Sequence, residues 1–246
     1  IPEKAYLYAL PKKLYKEEGV RRYGFHGTSH HYVAKAAARH LGKPLETLNL
    51  ITLHLGNGAS ACAIRNGRSI DTSMGMTPLE GLVMGTRSGD IDPEILLYLI
   101  REKGMDPAML DTTVNKQSGL KGLCGSNDMR EIIGRMESGD DEAKTAFDVF
   151  VYRIRKYIGA YSAILGKVDA VIFTGGIGEH AWQVRRSVCD GLFGMVLDEP
   201  MNRLHSGGVT PIHDGSSAVA VLAISTNEEL EIALQTEKLI KGEDDA

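Results

Sequence analysis

Cysteine is scarce: Cys62, Cys124 and Cys189 are scattered through 246 residues with no CxxC spacing. That argues against a zinc knuckle and against a disulfide framework, and points to a reducing, cytoplasmic setting. Long apolar runs are missing as well. Stretches such as Ala218 to Ile224 fall well short of the ~20 residues that span a bilayer. Neither sign of charge dominates, with 28 Lys plus Arg against 32 Asp plus Glu and a formal net charge of −4. The balance offers no polyanion-binding face and no polybasic anchor, so neither nucleic acid nor a membrane is expected as a partner. The chain opens Ile1-Pro2-Glu3-Lys4, with no initiator Met and no signal-peptide profile, and the expectation is that residues upstream have been removed. Repeats, low-complexity runs and Pro/Ser-rich linkers are absent, which favours one continuous domain over residues 1–246. What is present, 43% apolar and 24% charged residues with 28 Gly, is an ordinary globular composition.

Several elements can be read from pattern. Thr28 or Ser29 can cap a helix through Val33, Ala36, Ala37 and Leu41, stopped at Gly42. Leu48 to Leu55 reads as a buried strand, and Ala59 to Ile64 leads into Asn66-Gly67, a type I′ hairpin signal. Ile91 to Ile100 is helical by apolar density. Phe147, Phe150, Ile154, Ile158, Tyr161 and Leu165 repeat at helical spacing. Asp169 to Phe173 is a short strand running into a glycine-rich turn, with a helix from Ala181. Ala218 to Ile224 is another strand, followed by a helix to about Leu239. A meander followed by strand-helix alternation predicts an α/β fold with a mixed sheet flanked by helices.

Three glycine-rich segments could carry chemistry. Leu55-Gly56-Asn57-Gly58-Ala59-Ser60 joins two strands, so its N–H groups can point at an anion, although a plain β-turn explains the same residues. Thr174-Gly175-Gly176-Ile177-Gly178-Glu179 lies between a strand and a helix, where phosphate binds readily. It makes a poor dinucleotide fingerprint, because the third glycine position holds Ala181 or Trp182, and no GxxxxGK[ST] loop occurs. Asp71 to Asp90 is rich in glycine, hydroxyls and carboxylates and is not expected to pack in the core. Its one cation, Arg87, suits an anionic group, the alternative being a structural ion pair with Asp90 or Asp92. His26, between Phe25 and Gly27, precedes a helix and can face a ligand at its N-terminus. His30 and His31 are expected on the helix surface or partly buried. Glu228 and Glu229 begin the last helix, where they serve as dipole-matched residues or as a carboxylate for Mg²⁺ held partly by phosphates.

Taken in order, Gly24-Phe-His-Gly-Thr-Ser-His30, His54-Leu-Gly-Asn-Gly58, Asp71 to Gly81, Gly85-Thr-Arg-Ser-Gly-Asp90 and Phe173-Thr-Gly-Gly-Ile-Gly178 resemble the acetate kinase family. The resemblance runs from Ile1 to about Leu239. It implies a ribonuclease-H-like lobe of the actin-like ATPase superfamily, here the C-terminal nucleotide-binding and dimerisation lobe of a two-lobed kinase whose N-terminal lobe is not in this chain. It implies Mg²⁺-dependent transfer of the ATP γ-phosphoryl group to acetate, giving acetyl phosphate and ADP, in a cytoplasmic homodimer. Residue by residue, it implies His26 and Arg87 at the transferring phosphoryl group, and Phe25 and Pro78 at the acyl methyl group. ATP would meet His54, Leu55, Gly56, Asn57, Gly58, Asp128, Met129, Arg130, Gly176, Ile177, Gly178, Glu179 and His180, with Glu229 as the Mg²⁺ carboxylate. His180 stands where Asn is more frequent and Met129 where an aromatic is common. Propionate or butyrate as the acceptor is the first alternative; others are a non-catalytic dimeric ATP-binding module and an actin- or Hsp70-like ATPase.

Overall fold

Strand residues alternate between the two sides of a sheet, and this alternation decides how the molecule is layered. A computed structural model describes residues 1–204 and 207–241. Within them β1 (Asn49–Leu55), β2 (Ala59–Arg65), β3 (Arg68–Thr72), β4 (Ala170–Thr174), β5 (Val209–Pro211) and β6 (Ala220–Ile224) form one sheet in the order β3-β2-β1-β4-β6-β5. The central strands β1, β4 and β6 run parallel, while β2, β3 and β5 pair antiparallel. This is the mixed sheet that the sequence pattern predicts. Asn66 and Gly67 both have positive φ (52° and 76°), as the hairpin signal requires.

The helices are α1 (Glu3–Tyr6), α2 (Lys12–Glu18), α3 (Gly27–Leu41), α4 (Pro93–Lys103), α5 (Pro107–Lys116), α6 (Gly119–Cys124), α7 (Met129–Glu137), α8 (Asp141–Leu165), α9 (Gly175–His180), α10 (Trp182–Cys189), α11 (Glu199–Arg203) and α12 (Glu228–Lys241). Asp140 starts α8 by accepting hydrogen bonds from the N–H groups of Glu142 and Ala143. Phe147, Phe150, Ile154 and Ile158 of α8 share one core with Ile51, Leu53, Leu55, Val171 and Phe173 of the sheet. On the opposite face, Val33, Ala34, Ala37 and Ala38 of α3 cover Leu50, Ile172, Leu222 and Ile224. The thiols Cys62, Cys124 and Cys189 are free and buried.

Four expectations are corrected. The N-cap of α3 is His26 in the left-handed region (φ 58°), not Thr28 or Ser29, because the Ser29 hydroxyl bonds to His54 instead. His30, expected at or near the surface, is 4% exposed and faces the sheet. The segment Asp71 to Asp90 leaves the sheet after Thr72, yet Met74, Leu82, Val83 and Met84 enter the α8 core. Positive φ at Gly81 (107°) and Gly89 (66°) lets the backbone double back closely enough to do so. The glycine-rich stretch after β4 is itself the short helix α9, since φ of +76° at Gly175 turns the chain directly out of the strand.

Candidate active site

Parallel neighbours β1 and β4 are in register from Leu50↔Ala170 to His54↔Thr174, so both end at the same edge of the sheet. There the chain leaves each strand through a glycine-rich segment, the usual place for a phosphate site in such sheets. The two segments touch. A Cβ on Gly175 would lie 2.8 Å from the Leu55 carbonyl oxygen, and one on Gly85 would lie 2.1 Å from Asn57 Oδ1. The Gly85 N–H donates to the Asn57 carbonyl (3.0 Å), and Asn127 Nδ2 donates to Asn57 Oδ1 (3.0 Å). Segments far apart in sequence therefore meet at the tip of β1.

A polar corner lies on the α3 side of this tip. The His26 and His54 rings stack with centroids 4.2 Å apart. His26 Nδ1 lies 2.9 Å from Ser60 Oγ, and His54 Nδ1 lies 2.8 Å from Ser29 Oγ. Arg87 reaches the same place: a Cβ on Gly58 would sit 3.4 Å from Arg87 Nη1 and 3.5 Å from His26 Nε2. Arg87 Nη1 also donates to the Pro78 carbonyl (3.2 Å). The alternative ion pair is not made. Asp90 accepts from Tyr157 (2.8 Å) and faces Arg153, and Asp92 caps α4. Among the described residues no carboxylate is within ion-pair distance of the Arg87 guanidinium. Burial, then the neighbouring His54 and Arg87, push the His26 pKa down to about 4 against the opposing pull of Glu228. Burial likewise lowers His54, opposed by Glu179. The corner thus combines neutral imidazoles with one uncompensated cation, an arrangement suited to an anion.

Next to it opens a cleft of about 650 Å³, lined by Gly56, Asn57, Asp128, Met129, Arg130, Gly176, Ile177 and His180 together with Asn127, Ile133, Trp182 and Gln183. Asp128 caps α7 and is ion-paired with the exposed Arg130 (2.6 Å), whose hydrogen bond holds its carboxyl down at about 2.

The acetokinase family model matches residues 1–234. The chain belongs to the acetokinase family. It is 60% identical over 243 residues to an acetate kinase from Sulfurovum sp., covering 98% of this chain and 61% of that protein. It is also 60% identical over 243 residues to one from Syntrophobacter fumaroxidans, covering 98% and 59%. Among solved structures, the acetate kinase of Porphyromonas gingivalis superposes with a TM-score of 0.94 at 44% identity, covering 98% of this chain and 61% of that one. A propionate kinase from Francisella tularensis gives 0.89 at 44%, covering 95% and 60%. The fold is that of the actin-like ATPases, and the chain spans about 60% of the length of these relatives.

For this acetokinase-family chain, His26, His54, Gly58, Arg87 and Pro78 come together at the corner, and eight residues expected at the nucleotide line the cleft. Leu55 and Gly178 are buried behind it and do not line the cleft. Phe25 lines a separate cavity of about 310 Å³ with Tyr23, His31 and Ala34. Of the two acidic residues that open α12, Glu228 is the one whose charge reaches His26, whereas Glu229 is exposed. Ser60 ends the glycine-rich Leu55–Ser60 segment, but Trp182 and Asn127 had no motif to mark them. Neither did Arg185. It is 1% exposed, and its guanidinium donates to Gly178 O (2.8 Å), Glu179 O (2.6 Å) and Asn202 Oδ1 (2.7 Å), fixing the end of α9 against α11. An arginine flanked by Val184 and Val188 on a short helix gives no sequence signal of burial.

Proposed function

We propose that this chain is the C-terminal, nucleotide-binding lobe of a two-lobed acetate kinase that moves the γ-phosphoryl group of ATP to acetate. The observation that carries the reading is the unpaired Arg87 guanidinium beside neutral His26 and His54 at the tip of β1, next to the cleft. A carboxylate oxygen would bond to the γ-phosphorus as the bond to the β,γ-bridging oxygen breaks, the electron pair leaving with ADP. The acid enters deprotonated, so no general base is needed and the site has only to align the partners and neutralise charge. Arg87 and His26 are the groups assigned to that charge. The cleft residues Gly56, Asn57, Gly176, Ile177 and His180 take the nucleotide, with Asp128, Met129 and Arg130 toward the adenosine side.

Mg²⁺ fits this arrangement. The described residues contain no group of three or more His, Cys, Asp or Glu that would cage a cation. An ion held mainly by phosphate oxygens, water and a single carboxylate needs none. Glu229 is the residue assigned to it from the family pattern, with Glu228 adjacent, and when bound the ion would neutralise charge on the β- and γ-phosphates.

Acetate is preferred over propionate because the 60%-identical relatives are acetate kinases, although the Francisella propionate kinase and the Porphyromonas acetate kinase are each 44% identical to this chain. One methylene separates the two acids by only about 1–3 kcal/mol. A second copy is the partner assigned to α4, which buries none of its residues and exposes Ile95, Leu97, Tyr98 and Ile100. Among the described residues no helix is long and apolar enough to cross a membrane. The deciding experiment traps acyl phosphate with hydroxylamine in the full-length protein, given Mg-ATP and acetate, propionate or butyrate. Product with acetate fastest is expected; ATP binding without product from any acid would leave a non-catalytic module.

A further inference from the structure

Four side chains behind the corner form an unbranched row of hydrogen bonds. Thr52 Oγ1 lies 2.7 Å from His30 Nδ1, His30 Nε2 lies 2.7 Å from Ser60 Oγ, and Ser60 Oγ lies 2.9 Å from His26 Nδ1. Thr52 and Ser60 are fully buried, and His30 nearly so. Among the described residues no acid touches His30, and burial drives its pKa down to about 3, so its ring is neutral and carries one N–H. A row of hydroxyls and neutral imidazoles then has two proton arrangements, one running each way.

If protons run from His26 toward Thr52, His26 Nδ1–H donates to Ser60, Ser60 donates to His30 Nε2, and His30 Nδ1–H donates to Thr52. The Thr52 hydroxyl proton is then left over. Among the described residues Thr52 Oγ1 has no hydrogen-bond partner other than His30, so a fully buried donor would go unmet. If protons run the other way, Thr52 donates to His30 Nδ1, His30 Nε2–H donates to Ser60, and Ser60 donates to His26 Nδ1. Every buried group of the row is satisfied, and the one proton without a partner sits on His26 Nε2, the atom that faces Gly58 and Arg87 at the half-buried mouth of the site.

We infer that Thr52, His30 and Ser60 are positioning residues that lock His26 as the Nε2–H tautomer, a fixed neutral donor aimed at the anion site. The backbone agrees with such a role. His26 is held at φ 58°, a region costly for a non-glycine residue, at the first turn of α3. The ring is pinned by Ser60 on one side and by stacking on His54 on another. The row explains why buried polar residues sit under an otherwise alanine-rich helix. Its value for catalysis rests on the assignment of His26 to the phosphoryl group; the tautomer itself does not.

The test is a pair of measurements on the full-length protein. In ¹H–¹⁵N correlation spectra of histidine-labelled protein, with His26→Gln and His30→Gln assigning the signals, both rings should show a protonated Nε2 and a bare Nδ1. An Nδ1–H at either ring overturns the proposal. In kinetics, His30→Leu removes the donor to Ser60 and should lower kcat about tenfold or more with nucleotide KM unchanged. His30→Gln keeps an N–H there and should recover most of the rate. Equal losses in two variants that melt like the parent would overturn the positioning role. If neither variant folds, the spectra decide. Should the protein show the tautomer but form no acyl phosphate, the lock stands and the kinase reading falls.

Discussion

On the side of the sheet covered by α8, Ile51, Leu53 and Leu55 of β1 share one apolar cluster with Phe147, Phe150, Ile154 and Ile158. On the side covered by α3, Leu50 is followed along the same strand by Thr52 and His54, and the helix above presents Ala34, Ala37 and Ala38. The strand is one sequence read at period two, yet its faces do different things. Large side chains fill the space under α8 and supply burial. Small ones let α3 approach closely enough for Ser29 and His30 to reach His54, Thr52 and Ser60. One face provides cohesion, and the other gives up apolar area for a polar corner that opens on the cleft.

The sharpest way to break this contrast is at Arg87, which serves the corner and holds together no ion pair among the described residues. Arg87→Ala or Arg87→Lys in the full-length protein should lower turnover about 10³-fold, as expected for a cation at a transferring phosphoryl group, with the melting curve little changed. Acyl hydroxamate formation measures it. Near-normal turnover in Arg87→Lys would remove Arg87 from the site. The opposite signature belongs to the α8 face: Phe150→Ala, at a fully buried position, should cost about 3–5 kcal/mol of stability. Denaturant unfolding reads that loss, and a change below about 1 kcal/mol would mean that the cluster can collapse around the gap.

Acidification sharpens the comparison further, because His26, His30 and His54, whose pKa values burial lowers, lie on the α3 side. Histidine in an unfolded chain titrates near 6.5, whereas His26 is held down at about 4 and His30 at about 3. Above pH 6.5 both states carry neutral rings and the contribution to stability is complete. As the pH falls below that value the unfolded chain takes up protons that the folded protein refuses, so stability drops toward the folded values. The groups facing His26 are His54, Arg87, Glu228 and Ser60, so no carboxylate other than Glu228 offsets the effect there. Unfolding midpoints between about pH 7 and about pH 5 should fall, and His30→Gln should flatten the slope. An unchanged slope would mean that His30 already carries its proton in the folded state.

Much of this layering is legible in the sequence. The helical stripe from Phe147 to Leu165, the Asn66-Gly67 turn and the strands ending at the glycine-rich segments each have a local cause: a period, a positive φ, a buried apolar run. What could not be read depends on distant partners. Leu82, Val83 and Met84 have no period, and they are buried because glycines nearby let the loop fold inward. His30 looks like a surface helix residue until Thr52 and Ser60 are placed beneath it. Glu228 and Glu229 lie about 100° apart on a helix, so the sequence alone does not choose which one turns toward His26, and the structure brings Glu228.

The smallest expected effect tests the spacing argument itself. Ala37 is fully buried between α3 and the sheet, on the same helix as His30 but about three turns away from His26. Ala37→Leu adds volume to the fully buried layer between α3 and the sheet, and overpacking of this kind costs about 1–3 kcal/mol. Part of the strain can be relieved by lifting α3, which would lengthen the His30–Thr52 and His30–Ser60 hydrogen bonds before it disturbs the α8 core. A modest loss of stability should therefore accompany a disproportionate fall in turnover, while Val151→Leu on α8 should lose stability without that fall. If both variants lose stability and rate in the same proportion, close approach of α3 is a packing matter only, and the small residues under it have no special tie to the corner.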